Sequence, residues 1–180
     1  VPVQDVDYLK LRRRLEQDGQ VLDYVDRNPS RNTKKTIIPP QRLPGIVVDN
    51  QSAKLSGNWK YSSATPSYVG SGYRHDGEDK TRISTAQFEA TLPRSGQYEV
   101  LISWPAHPNR SSNTKVQIVS ANATTEKTID QREKPSEQTD QLFRSLGSYT
   151  FSANKPAILV VSNEGTDGYT VVDAVQWLVK

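Results

Sequence analysis

The sequence predicts an all-β fold, an antiparallel β-sandwich, and three observations carry that expectation. Beyond Gly45 the chain runs as short β-rich segments punctuated by turn residues, at 46–49, 59–62, 82–90, 97–104, 115–120, 126–129, 144–151, 157–161 and 170–179. No helical pattern alternates with these runs, so parallel βαβ units are not expected and antiparallel pairing is. Hydrophobic residues make up 34% of the chain and charged residues 24%, a balance suited to a solvated sandwich with one buried face per sheet.

Three regions follow along the 180 residues. Residues 1–24 read as a helical segment from the end of a preceding domain. Asp5 is the N-cap, Tyr8, Leu11 and Leu15 share one face opposite Arg12, Arg13 and Glu16, and Gly19 is the stop. A lone helix of that length is marginal in water, so its apolar stripe needs a cover, from the sandwich or from an upstream domain. Residues 25–44 read as a linker, since Asn28-Pro29, Pro39-Pro40 and Leu43-Pro44 restrict the backbone without any sustained period. Residues 45–180 form the sandwich module. Within it, alternation places Tyr98, Val100, Ile102 and Trp104 on one face, expected to be core. The last run groups Asp173 with Val171, Val175 and Trp177, which points Asp173 inward. An inward carboxylate is costly unless paired or hydrogen-bonded, and Arg74 or Arg110 is expected to satisfy it.

Composition excludes several functions. Residues 1–44 carry 9 Lys+Arg and 6 Asp+Glu, leaving 14 of each for the rest, so the body is formally neutral and lacks the basic excess of a nucleic-acid binder. No apolar run reaches the roughly 20 residues needed to cross a bilayer, so membrane insertion is not expected. The absence of cysteine removes disulfides, thiol nucleophiles and thiolate metal sites. The two histidines, His75 and His107, lie in separate loop-like segments and supply no histidine-rich zinc site. There is no Gly-x-Ser-x-Gly elbow and no Gly-x-Gly-x-x-Gly after a strand, so neither an esterase-like nucleophile nor dinucleotide binding is indicated. Catalysis is not expected of this chain.

Binding is the function left. Sugars are held by flat aromatic faces with a few polar groups that fix the hydroxyls. The aromatic candidates are Trp59, Tyr61, Tyr68, Tyr73, Trp104 and Tyr169; alternation assigns Trp104 and Trp177 to packing, while Trp59 and Tyr61 sit among Asn58, Lys60, Ser62 and Ser63, where one of them can be exposed. Tyr73-Arg74-His75-Asp76-Gly77 reads as a solvated turn or as a ligand-contacting loop. Asp76, Glu78 and Asp79 offer oxygen atoms to a structural calcium ion, without EF-hand spacing. The polar stretch from Trp104 to Asn113 reads as a rigid corner fastened by Asn109 and Arg110, or as a recognition loop. The candidate ligand-binding residues are thus Trp59, Tyr61, Tyr73, Arg74, His75, Asn109 and Arg110, with Asp49 and Asp173 as structural polar groups.

An ordered set of motifs adds to this reading: Gly45-Ile46-Val47-Val48-Asp49-Asn50, Gly72-Tyr73-Arg74, Gly96-Gln97-Tyr98-Glu99-Val100, Trp104-Pro105 with Asn109-Arg110-Ser111-Ser112-Asn113, Leu146-Gly147-Ser148-Tyr149-Thr150-Phe151, and Gly168-Tyr169-Thr170-Val171-Val172-Asp173-Ala174-Val175. Over residues 45–179 the chain resembles a golvesin C-terminal-like domain, also called the xanthan lyase carbohydrate-binding-like domain. That resemblance implies a jelly-roll sandwich of galactose-binding-like type. It implies a non-catalytic accessory module of a secreted, periplasmic or cell-surface protein, attached to a polysaccharide-degrading enzyme or an FAD-dependent oxidoreductase. The flavin would then belong to an upstream domain. The partner so implied is a polysaccharide or cell-surface glycan. The alternative is a structural domain that packs against and steadies the catalytic domain of its parent.

Overall fold

The computed structural model describes residues 22–24, 35–136 and 142–180. Fifteen strands and one 3-10 turn, Pro40–Arg42, follow in order among the described residues. They are β1 (Leu22–Tyr24), β2 (Lys35–Ile38), β3 (Ile46–Asp49), β4 (Lys54–Ser56), β5 (Lys60–Ser62), β6 (Tyr68–Val69), β7 (Tyr73–His75) and β8 (Thr85–Ala90), then β9 (Gly96–Ser103), β10 (Thr114–Val119), β11 (Thr124–Ile129), β12 (Phe143–Phe151), β13 (Ala157–Ser162), β14 (Val171–Val172) and β15 (Ala174–Val179).

Two antiparallel sheets make the sandwich, one ordered β11-β10-β13-β8-β4 and the other β12-β9-β15-β3. The chain changes sheet between β3 and β4, β8 and β9, β9 and β10, β11 and β12, β12 and β13, and β13 and β15, the crossing pattern of a jelly roll. The period-2 pattern explains the core. Ala86, Phe88 and Ala90 of β8, Val116 and Ile118 of β10, and Leu159 and Val161 of β13 face Tyr98, Val100, Ile102, Phe151, Val175 and Trp177 of the other sheet in one buried cluster. Each Val, Ile, Leu or Phe among them contributes about 1.5–3 kcal/mol when fully buried. Trp104 and Trp177 are both packing residues, 1% and 0% exposed.

Every residue from Val171 to Trp177 is buried, on both faces. The physical reason is a second, smaller core on the outer side of β15, where Val69, Leu142 and Ala174 meet Ile38, Leu43, Val47 and Phe143. This corrects the domain reading. Lys35–Ile38, assigned to an extended linker, is a strand that runs parallel to β6, with Ile37 opposite Tyr68 and Ile38 opposite Val69. The Gly70 amide donates to the Ile38 carbonyl at 2.9 Å, and Gln176 Nε2 donates to the Pro44 carbonyl at 2.7 Å. Leu22–Tyr24, placed in the helical segment, is a strand paired with β2. The helix proposed for 5–19 and its Tyr8, Leu11 and Leu15 stripe lie outside the described residues.

The last run is also not one strand. It breaks at Asp173, between β14, which pairs with β7, and β15, which pairs with β9 and β3. The break turns the Asp173 carboxyl away from the side of Val175 and Trp177, toward Ser103 and the Val69 amide.

Candidate functional site

A small three-stranded sheet, β14-β7-β5, caps one end of the sandwich and sorts the candidate residues onto its two faces. Register pairs Lys60 with His75 and His75 with Val171, and pairs Tyr61 with Arg74 and Arg74 with Val172. Directly opposite residues share a face. Tyr73 and His75 therefore lie on one side with Lys60 and Ser62, and Tyr61 and Arg74 on the other.

On the first side Arg110 is the hub. It is 7% exposed. Its Nε donates to the Pro105 carbonyl (3.2 Å), Nη1 to Asn109 Oδ1 (2.9 Å), and Nη2 to Thr65 Oγ1 (3.0 Å) and the Tyr73 hydroxyl (3.2 Å). The guanidinium carbon stands 5.4 Å from the Tyr73 ring centroid. Main-chain bonds lock the same corner: Tyr169 N to Asn109 O at 3.0 Å and Ser111 N to Tyr169 O at 2.9 Å. The Trp104–Asn113 stretch is thus a rigid corner with Asn109 and Arg110 as its fasteners, and Tyr73, 2% exposed, is one of its internal props rather than a ligand contact.

A second fastener sits beneath it. Asp76, read as part of a solvated turn, is fully buried: its Oδ1 accepts the Glu78 and Thr170 amides, both at 3.0 Å, and its Oδ2 accepts Asn163 Nδ2 at 3.0 Å. Asp79 Oδ1 accepts the Thr81 amide and hydroxyl. Both oxygens of Asp76 and Oδ1 of Asp79 thus accept N–H or O–H donors of the chain. Among the described residues no group of three or more His, Cys, Asp or Glu side chains is arranged to hold a metal. Lys80 Nζ ties the loop to Thr166 Oγ1 (2.9 Å) and the Gly168 carbonyl (2.7 Å). Nothing in the sequence pattern marked Asn163, Lys80 or Lys60 as partners of this end.

What the fasteners present is a pair of half-buried rings. His75 and Tyr169 meet edge-on, their centroids 5.7 Å apart. Burial, then the charge of Arg110 and more weakly of Lys60, lowers the His75 pKa against a smaller opposing effect of Asp76, so the ring is neutral near pH 7. Lys60, His107 and Asn109 are exposed around the ring pair, and His107 Nδ1 lies 2.8 Å from Asn109 Oδ1. Asp167 stands at the same end, accepting the Ser112 hydroxyl and amide, which hold its carboxyl down at about 2.

On the other side Tyr61 is half exposed, with its hydroxyl donating to the Ser71 carbonyl at 2.6 Å. Trp59 is not an exposed platform. Its indole N–H lies 3.0 Å from both the Ser56 and the Thr85 carbonyls, and its ring packs against the main core. Arg74 points away from His75; its charge acts on Asp49, and its Nε is buried without a partner among the described residues. Neither arginine satisfies Asp173. That carboxyl, 0% exposed, takes the Ser103 hydroxyl at 2.7 Å and the Val69 amide at 3.0 Å, both on Oδ2. The correction follows from the break at Asp173, which sets it beside β6 and β9 while Arg110 is engaged at the corner.

A family model of the Golvesin C-terminal domain matches residues 46–178, from the first residue of β3 into β15. The chain belongs to that family. The golvesin domain is 32% identical over 142 residues to the xanthan lyase of Bacillus sp. (strain GL1), covering 76% of this chain and 15% of the lyase. Among solved structures it is similar to Paenibacillus xanthan lyase, at 27% identity and a TM-score of 0.68, over 74% of this chain and 13% of that one. A family 35 carbohydrate-binding module from Clostridium thermocellum shares the fold at 14% identity and a TM-score of 0.51, over 75% of this chain and 98% of the module. The golvesin domain therefore spans only about a seventh of the lyase's length. Its β-sandwich is the fold of a carbohydrate-binding module, and the two longer relatives carry the name of a lyase, not of a flavin oxidoreductase. Among its described residues no helix is long and apolar enough to cross a membrane.

One glycine position shows how closely the corner is built. A Cβ on Gly168 would stand 2.7 Å from the Arg110 carbonyl oxygen and 2.9 Å from that of Asn109. Gly168→Ala should push the two loops apart and destabilise the domain by about 1–3 kcal/mol. Thermal melting checks this, and an unchanged midpoint would mean that the loops part without cost.

Proposed function

We propose that this golvesin domain is a non-catalytic module that binds polysaccharide through the His75–Tyr169 ring pair, keeping a larger secreted, polysaccharide-degrading enzyme near its substrate. The observation that supports it most is the presentation of those two rings on a corner that Arg110 and Asp76 hold rigid. Ring faces fixed in advance bind sugar C–H surfaces with little ordering cost. Exposed Lys60, Asn109 and His107 at the rim supply donors and acceptors for hydroxyls. The likeness to xanthan lyase and to a carbohydrate-binding module supports a polysaccharide as partner and a lyase as parent.

An array of soluble polysaccharides including xanthan, probed with the 180-residue chain with and without calcium, tests the reading. Tyr169→Ala should lose at least tenfold in affinity for any polysaccharide retained, with little change in melting temperature. Trp59→Ala should lower the melting temperature instead. Binding that survives Tyr169→Ala but is lost in Tyr61→Ala would move the site to the opposite face of the small sheet.

One observation favours the second reading, a domain that steadies its parent by packing against it. Leu55 on the edge strand β4 and Ile83 just before β8 are large apolar side chains 38% and 57% exposed. If no polysaccharide binds, and Leu55→Ser with Ile83→Ser releases this domain from the intact parent, that reading replaces the first.

A further inference from the structure

The Asp49–Asp173 pair lies outside the ring site and is used by nothing described above. Asp49 ends β3 and stands opposite Ala174, so it neighbours Asp173 across the β3–β15 ladder. Both carboxyls border the Val69-Gly70 segment. Asp173 Oδ2 accepts the Val69 amide, and a Cβ on the next residue, Gly70 (φ +67°), would stand 2.7 Å from Asp49 Oδ2. One oxygen of each is filled, Asp49 Oδ1 by the Gln51 amide at 3.0 Å and Asp173 Oδ2 by Val69 and Ser103. The other oxygen of each, Asp49 Oδ2 and Asp173 Oδ1, is buried without a hydrogen-bond partner among the described residues.

Two neighbouring carboxylates, Asp173 fully buried and Asp49 partly so, each with a bare buried oxygen, are costly twice over, through like-charge repulsion and through unmet hydrogen bonding. A single proton relieves both, since it removes one charge and supplies one donor. We infer that Asp49 and Asp173 share one proton, carried on Asp173, and that this proton latches β6, and through it β2, onto the sandwich.

The electrostatics agree with the geometry. Burial pushes the Asp173 carboxyl up to about 8, against the Ser103 and Val69 hydrogen bonds, and the Asp49 charge adds to the rise. Burial also raises Asp49, opposed by the Gln51 amide and by Arg74. Arg74 on β7 is the cation acting on the pair, and it acts on Asp49, which fixes the proton on Asp173. From β9 the pair meets the Ser103 hydroxyl, and from β6 the Val69 amide. The Arg74 charge beside Asp49 opposes a divalent cation there.

The sign follows by linkage. Asp173 titrates near 3.9 when unfolded and near 8 when folded, so between those values the folded chain binds the extra proton and stability falls as pH rises. The thermal midpoint of the full chain should fall by roughly 5–10 °C between pH 6 and pH 9. Asp173→Asn places a permanent N–H donor where the proton sits and keeps an acceptor for Ser103 and Val69, so its midpoint should be flat over that window. Parallel profiles for the two proteins would overturn the proposal. Carbon NMR of the unchanged chain decides the matter even if the variant does not fold: one aspartate carboxyl should titrate near pH 8, and titration of every aspartate below pH 5 would overturn it. Amide exchange at Gly70, corrected for intrinsic rate, should accelerate above pH 8 while Val100 stays protected; equal protection of both would remove the latch. A midpoint raised by calcium and lowered by a chelator in the wild type, but not in Asp173→Asn, would put a cation where we place the proton.

Discussion

Asp173→Ala will destabilise the domain by about 2–4 kcal/mol at pH 5, a fall of roughly 5–15 °C in melting temperature for a chain of this size. The loss has two parts. The Ser103 hydroxyl and the Val69 amide, both in a fully buried setting, are left without their acceptor, at about 1–3 kcal/mol for each unsatisfied group. The carboxyl's volume is also lost at a place where Val69, Ala174 and Leu142 close the second core. The deficit should narrow as pH rises, by up to about 1.4 kcal/mol per unit until about pH 8, because the wild type alone gives up protonation-linked stability over that range. Melting curves of both proteins from pH 5 to pH 8 check this. A variant that melts like the wild type at pH 5 would mean that Asp173 contributes nothing as an acceptor.

The long, strictly alternating strands and the short β3 and β5 were readable from the sequence, whereas the short β2, β4 and β6 were not. Tyr98, Val100, Ile102 and Trp104 are core as the period-2 pattern indicated, since β9 has one face on the main cluster. β15 defeated the same logic because it is buried on both faces, and no parity assigns Asp173 once the strand breaks beside it. β2, β4 and β6 are four residues or fewer, and the Pro39-Pro40 pair beside β2 reads as a linker whether or not a strand precedes it. The corner was legible because polar residues crowded between two good strands must either bind something or bond each other. Which aromatic residue would be presented was not. Trp59 sits in a polar stretch, yet the carbonyls of Ser56 and Thr85, brought to it by β4 and β8, capture its N–H and fold the ring down. That contact joins residues 26 apart, a distance that local pattern does not report.

Arg110→Ala should be the most damaging change at the ring site, with a loss of about 3–5 kcal/mol and of any polysaccharide binding. The guanidinium makes its hydrogen bonds to four neutral partners, the Pro105 carbonyl, Asn109, Thr65 and Tyr73, in the fixed fork that five N–H groups allow. Alanine takes the donor from the buried Pro105 carbonyl and one of three hydrogen bonds from the Tyr73 hydroxyl, which keeps the Ser62 hydroxyl and the Thr65 amide, and removes the plate on which the Tyr73 ring rests. Arg110→Lys should recover little of the loss, since a point charge with three donors on a flexible stem cannot span four acceptors lying in a fan around a planar group. The readouts separate two roles. If Arg110 holds the corner, both variants lower the melting temperature and accelerate amide exchange at Tyr169 and Ser111, whose main-chain bonds close the same loop. If both variants melt like the wild type and keep those amides protected, the main-chain bonds close the corner unaided. The positive charge of Arg110, which meets no carboxylate among these hydrogen bonds, would then have to be explained by what approaches His75 and Tyr169 from outside.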